Sequence, residues 1–292
     1  MCLRSDAGRE METINVLSLG AGVQSTALYL MLMRGELVPQ VDAAIFADTG
    51  DEPQAVYSHL QWLISLGGPP ILVRSKGRLS DDLLRGQNST GQRVASVPFF
   101  TARAEGAKSG QTRRQCSREY KIDVINRAIR REIVGLPPGR ALPAGHRVVQ
   151  YIGISLDEAA RASRISVRKS PRGWSYQFPL IEKRMTRDDC VAYLSDKVPH
   201  ETPRSACVFC PYHSDQEWVK IKAIPGDWAL AVAVDRGVRE PGTIVNRNMD
   251  SALYAHRSCL PLDQVQFKPE SRKKREFQLL MDWECVEGVC GV

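Results

Sequence analysis

The chain has 292 residues, 43% of them hydrophobic, and a formal charge of +7. That composition supplies one substantial core and a smaller appendage, which excludes a compositionally disordered protein. No apolar run approaches the roughly 20 residues that cross a bilayer, and the opening MCLRSDAGRE lacks the apolar stretch of a signal peptide, so a cytoplasmic protein with no membrane partner is expected.

A pI near 9.0 suits a polyanionic partner, a nucleotide or a nucleic acid, although many basic proteins have none. Eight cysteines in a reducing compartment point to metal binding or thiol chemistry rather than a disulfide framework. Residues 1–10 read as a loose extension, and a strand-like pattern starts after Met11. The apolar run over residues 14–19 leads into Gly20, Ala21 and Gly22, and a helix over residues 24–33 closes at Gly35 as a C-cap. A second apolar run, residues 43–47, ends at Asp48; Pro53 then opens a helix reaching residue 66, and residues 71–73 form a third strand. Strands alternating with helices of this length imply right-handed crossovers and a parallel twisted sheet flanked by helices, an α/β Rossmann-like fold with its ligand at the strands' carboxyl ends.

Residues 86–115 have little periodicity and read as a long surface loop over the site. Helix resumes over residues 121–134, a buried strand follows over residues 148–154, and Thr186 caps a helix with Asp188 and Asp189 in its first turn. The expected division is an α/β nucleotide-binding domain over residues 11–195 and a smaller, mostly helical, cysteine-bearing region over residues 196–292. The latter holds helices around Trp218 and Trp228, a basic stretch over residues 268–275 and a cysteine-bearing tail.

Several segments carry candidate chemistry. In SLGAGVQSTAL, small residues let the chain turn tightly from strand to helix, leaving backbone N–H groups and the helix's positive end facing an anion; an ordinary glycine-containing turn has the same composition. Asp48, at a strand's carboxyl end, can accept from a ribose or hold Mg2+, or simply cap a helix. Arg113, Arg114, Arg118 and Lys121 at a loop–helix junction suit phosphate or sulfate oxygens, or are merely solvated. In CVFCP, Cys207 and Cys210 can reach one metal from a tight loop; a structural zinc, helped by His213, His256 or Cys259, and a dithiol pair are the alternatives. In the tail ECVEGVCGV, Cys285 and Cys290 are ligands, a persulfide-carrying nucleophile or an inert pair, while Cys190 sits in a helix as a core residue.

These segments together resemble the PP-loop ATP pyrophosphatase superfamily, in its phosphoadenylylsulfate (PAPS) reductase branch. Ser18, Gly20, Gly22 and Ser25 occupy the places of the PP-loop, with Val23 and Gln24 where the common SGGKDS form has Lys-Asp. FADTG followed by Glu52 and Pro53 is similar to the family's strand ending in Asp-Thr-Gly, and RRQCSREYKIDVINRAI to its cysteine and lysine segment, here Cys116 and Lys121. GISLDEAARA resembles the segment Gly-x-Arg-x-x-Glu with a downstream arginine: Gly153, Glu158 and Arg161 match, and Ser155 replaces the first arginine. With FPLIE and the Thr186 helix, the resemblance covers residues 14 to about 210.

It implies an adenine nucleotide, ATP or adenylylsulfate/PAPS, on Ser18, Gly20, Gly22, Gln24, Ser25, Asp48, Thr49 and Gly153, and anion contacts from Arg113, Arg114, Arg118, Lys121, Glu158 and Arg161. It further implies a [4Fe-4S] cluster on Cys116, Cys207 and Cys210 with Cys285, zinc being the alternative, and catalysis through Lys121, Cys285 and Cys290. One enzyme reading is a sulfur transferase that adenylates an acceptor such as tRNA or DNA and takes sulfur from a donor. The second is a reductase that releases sulfite with a thiol reductant, and the third a nucleotide- or nucleic-acid-binding protein without turnover. The oligomeric state stays open, a homodimer included.

Overall fold

The run INVLSL has the β-branched and apolar content of a buried strand, and the small residues after it force a reversal into helix. In the computed structural model, which describes residues 12–37, 39–86, 97–102, 110–167, 170–240 and 251–268, this run is β1, Glu12–Leu19. There follow α1 Val23–Met33, β2 Ala43–Asp48, α2 Gln54–Ser65, β3 Ile71–Ser75, α3 Leu79–Leu84, β4 Phe100–Thr101 and β5 Gly110–Gln111. One helical stretch then holds α4, Asp123–Ala128, between wider π turns at Ser117–Ile122 and Ile129–Ile133. The chain continues with β6 His146–Ile152, α5 Ala159–Val167, β7 Trp174–Gln177, α6 Pro179–Glu182, α7 Arg187–Leu194, α8 Asp215–Lys222, α9 Pro225–Gly237 and β8 Leu253–Tyr254. No helix of the described residues is long and apolar enough to cross a membrane.

Within the described residues the chain divides into two compact units, the first of residues 12–46, 59–74 and 125–204, the second of residues 47–58, 75–124 and 205–268.

The first unit is built on a five-stranded sheet in the order β3-β2-β1-β6-β7. β1 runs parallel to both β2 and β6, with Leu19 opposite Phe46 and Ser18 opposite Ile152, and β6 runs parallel to β7. Parallel neighbours need crossover connections, and helices supply them, as the alternating pattern predicts. Central β1 is buried on both faces at Val16 and Leu17, and α1 is buried along nearly its whole length, which explains its unbroken apolar run. The helix stops at Gly35, whose φ of 71° is the left-handed turn predicted there. Thr186 and Asp189 form the reciprocal cap expected for α7, Thr186 Oγ1 accepting from Asp189 N at 3.2 Å and Thr186 N donating to Asp189 Oδ2 at 2.8 Å. Cys190 lies in α7 and is fully buried, as its helix position predicts.

The second unit packs α3, α8 and α9 around a core that includes Leu79, Phe99, Tyr120, Phe209 and Trp218. A small antiparallel sheet, β5-β4-β8, lies in the same unit. Buried Asp235 of α9 ties in the segment after β8, accepting from Ala255 N and Leu262 N at 2.8 Å each and from Arg239 at 2.7 Å. The expected surface loop over residues 86–115 is corrected in its described parts. Val97 and Phe99 are core residues, and residues 100–101 and 110–111 form strands. Two-residue strands are too short to leave a readable alternation, and β4 finds its second partner, β8, far along the chain.

Candidate functional site

Among the described residues, those singled out in the sequence fall into two sets, one in each unit.

In the first unit, β1 ends at Leu19 and the chain turns through Gly20, Ala21 and Gly22 into α1. Ala21 takes a φ of 56°, unusual for a residue with a Cβ and a sign of backbone held in shape by its surroundings. Gly22 is the N-cap; its N–H donates to Ser25 Oγ at 3.1 Å, and the first-turn N–H groups of α1 have no intrahelical acceptor. Gly153 leaves β6 against this junction. A Cβ there would stand 2.9 Å from both Ser25 Cα and Ser25 N, backbone atoms that cannot swing away, so only glycine permits the approach.

Gln24 points its amide at the segment after Gly153, donating to Ser155 Oγ at 3.1 Å and Glu158 Oε2 at 2.8 Å. Glu158 also pairs with Arg161 at 3.1 Å. Ser155, which stands where the resembled family has arginine, is thus a buried partner of the loop. Ser18 Oγ accepts from Gln150 Nε2 at 2.6 Å and so belongs to the sheet's polar network. Behind α1, buried His59 links Thr26 Oγ1, 2.9 Å from its Nε2, to His200 Nε2, 2.8 Å from its Nδ1. Burial, with the neighbouring His200 ring, lowers His59 from the ordinary 6.5 to about 4.

The second unit holds the rest. Asp48 Oδ1 accepts from Gly50 N at 2.7 Å and from the Tyr57 hydroxyl at 2.8 Å, and burial together with this carboxylate pushes the Tyr57 phenol up. Gly50, at φ 77°, makes the turn. Thr49, Asp51 and Glu52 follow, all buried. Asp51 accepts from Ser80 N and Ser80 Oγ at 2.7 Å each and from Arg78 Nε at 2.9 Å, while its own carbonyl accepts from Val208 N at 2.8 Å. Those bonds join the DTGDE segment to the CVFC turn. In that turn Cys210 N donates to Cys207 O at 2.9 Å, His213 Nε2 lies 2.9 Å from the same carbonyl, and Val208 and Phe209 plug into the core.

Glu52 organises the centre. Its carboxylate accepts from Lys121 Nζ at 2.8 Å, Ser205 Oγ at 3.2 Å and Thr49 Oγ1 at 3.4 Å, and Thr49 Oγ1 is 3.2 Å from Cys207 Sγ. Burial works against the Lys121 ammonium, but the Glu52 carboxylate and the neighbouring sulfurs outweigh it and hold its pKa above the usual lysine value. Burial and the same carboxylate push the Cys207 thiol well up, against the opposing pull of Lys121 and Thr49. Cys116, Cys207 and Cys210 line one cavity of about 80 Å³ together with Thr49, Lys121, Arg114 and Tyr212. Among the described residues no group of three or more His, Cys, Asp or Glu side chains converges closely enough to hold a metal ion. As a donor set, three free cysteines on one cavity fit a thiophilic metal group.

Of the expected anion-binding residues, Arg114 reaches the cavity, with Nε donating to Ser117 Oγ at 3.0 Å. Arg113 and Arg118 are exposed on the same segment, and Lys121 is matched by Glu52. Glu158 and Arg161 lie with Gln24 in the first unit. Cys285 and Cys290 lie outside the described residues, as do residues 269–275 of the basic stretch. Glu52, Ser205 and Tyr212 were given no role from sequence. The available signal was at Glu52: three acids within five positions after a buried strand, Asp48, Asp51 and Glu52, exceed what one turn needs.

No family model matches this chain, and no curated protein matches it. Among solved structures, it is similar to the U34-tRNA thiolase NcsA from Methanococcus maripaludis with its [4Fe-4S] cluster, at 14% identity and a TM-score of 0.37, over 80% of this chain and 75% of that one. A likeness of that degree identifies no activity.

Proposed function

We propose that the chain is an adenine-nucleotide-dependent sulfur-transfer enzyme of the PP-loop type, resembling the PAPS reductase branch. The observation that carries this reading is the cavity of the second unit, where Cys116, Cys207 and Cys210 share one lining with Lys121. Three thiols in one lining suit sulfur chemistry or a thiophilic metal group that supports it.

In this reading the first-turn N–H groups of α1 and the Gly20 turn hold the nucleotide's phosphates, aided by the helix's positive end. The resemblance also gives Asp48 and Thr49 a nucleotide-binding role, with Mg2+ as the cation they would help hold. An oxygen of the acceptor attacks the α-phosphorus, pyrophosphate leaves, and a hydrosulfide equivalent then displaces AMP, which departs with that oxygen. Cys116, Cys207 and Cys210 would hold a [4Fe-4S] cluster, with Cys285 as the further ligand the resemblance implies. Such a group, when bound, supplies inorganic sulfide chemistry. Lys121, kept protonated by Glu52, lies in the same lining and would offset part of the negative charge the cysteines acquire on binding a metal group as thiolates. Zinc on the same cysteines is the structural alternative.

The experiment is metal and acid-labile sulfide content, with an absorbance spectrum, on the full chain purified without oxygen, followed by a pyrophosphate-release assay with ATP. Four irons and four sulfides per cluster are expected, lost in Cys207→Ser. One zinc and no sulfide would sink the cluster. ATP turnover without pyrophosphate would sink the adenylation step. Sulfite release from PAPS would instead establish the reductase reading, in which Cys285 or Cys290 attacks sulfur.

A further inference from the structure

Resting on that reading of the cysteine cavity, we infer that Arg114 and Tyr212 form a stacking platform for an unpaired base, so that a nucleic-acid strand is the acceptor class this cavity takes. The lining contains two aromatic rings, Phe209 and Tyr212. Phe209 is fully buried in the core of the second unit, whereas Tyr212 keeps exposed surface. The Arg114 guanidinium carbon lies 5.4 Å from the Tyr212 ring centroid, over its face, and the side chain is aimed by its bond to Ser117. A phenol ring and a guanidinium plane are the two flat surfaces on which proteins stack unpaired bases, and both here share a cavity with Cys116, Cys207 and Cys210.

The rest of the lining suits the same ligand. Val97, Pro98 and Leu79 give apolar contact, and the hydroxyls of Ser117 and Ser205 offer donors and acceptors to a base edge. Arg113 and Arg118, exposed on the same stretch of chain, and the formal charge of +7 favour a base that belongs to a strand, with phosphates on either side, over a free nucleotide.

The test titrates the full-length protein with short single strands of RNA and of DNA, their duplexes, and AMP, using 2-aminopurine in the strands as a fluorescent stacking probe. The wild-type protein is expected to bind a single strand better than the duplex and to quench the probe. Tyr212→Ala should weaken single-strand binding about 5- to 100-fold, the worth of one base–aromatic stack, and abolish the quench, while Tyr212→Phe keeps both. Arg114→Lys should not restore what Arg114→Ala loses, because charge without the plane does not stack. ATP affinity and metal content of Tyr212→Ala, measured alongside, report that the variant is folded. A preference between RNA and DNA names the strand and supports the proposal in either direction.

Unchanged strand affinity and quench in Tyr212→Ala would overturn the platform and leave the sulfur-transfer reading standing. AMP binding as tightly as the strand, with the same loss in Tyr212→Ala, would make the ligand a free nucleotide and overturn the strand assignment. A wild-type protein with neither iron nor pyrophosphate release, yet with a Tyr212-dependent strand complex, would refute the sulfur-transfer reading alone.

Discussion

Acidification should destabilise the first unit through a single buried ring. His59 is fully buried and wedged between Thr26 and His200, with Trp62 stacked on it at a centroid distance of 5.3 Å. Burial, reinforced by His200, lowers its pKa to about 4 from 6.5. Between those two values the unfolded chain binds a proton that the folded chain refuses, so the stability His59 permits is intact above pH 6.5 and is lost as the pH falls toward 4. At 1.36 kcal/mol per unit the full loss is about 3 kcal/mol, of which about 2 kcal/mol is gone by pH 5.

The assay is urea unfolding across that pH range for wild type and His59→Gln, which keeps polar contacts but cannot titrate. Carboxylates contribute equally to both proteins and cancel in the difference, so the wild type should lose about 2 kcal/mol more than the variant between pH 7.5 and 5. Parallel pH profiles would refute the assignment of a neutral, buried His59. Because Thr26 lies on α1 just beyond the Gly20 turn, the same step should weaken nucleotide binding in wild type and spare the variant's pH profile.

Gly153→Ala drives a Cβ to 2.9 Å from Ser25 backbone, so it should cost about 1–3 kcal/mol in stability and at least tenfold in ATP affinity by calorimetry. Unchanged affinity would detach the loop from nucleotide binding. Glu52→Ala leaves the Lys121 ammonium without its 2.8 Å partner; with that lysine about one-third solvent-exposed, the loss should be about 2 kcal/mol rather than the larger figure for a dry pair. Lys121→Ala placed on top should cost less than it does alone, and strict additivity in the double-mutant cycle would show that the two residues do not couple.

Much of the architecture was legible in the chain itself. The strand–turn–helix at residues 14–33, the α2 helix after Pro53 and the cap at Thr186 were readable because each depends on neighbours in sequence. Edge strand β7, with four residues, and the strands β4, β5 and β8, with two each, were missed; such segments are strands only by virtue of the partners they meet. At the candidate site, the glycines, Asp48, the Cys207–Cys210 pair and Lys121 were named from local pattern, and Cys116 from the family resemblance. The bonds that give them their character were not.

By itself, then, the sequence determined which segments turn, which alternate between strand and helix, and which residue types could meet an anion or a metal, since backbone conformation and side-chain chemistry are local properties. Only the tertiary structure decided that Glu52 neutralises Lys121 from 69 positions away, that Ser205 and Cys207 come from more than 150 positions away to the same carboxylate and hydroxyl, and that Gln24 bonds to Ser155 and Glu158. The physical reason is that burial and electrostatic pairing depend on what the packed chain brings together, and no periodicity records which distant residue will fill a neighbour's last hydrogen bond.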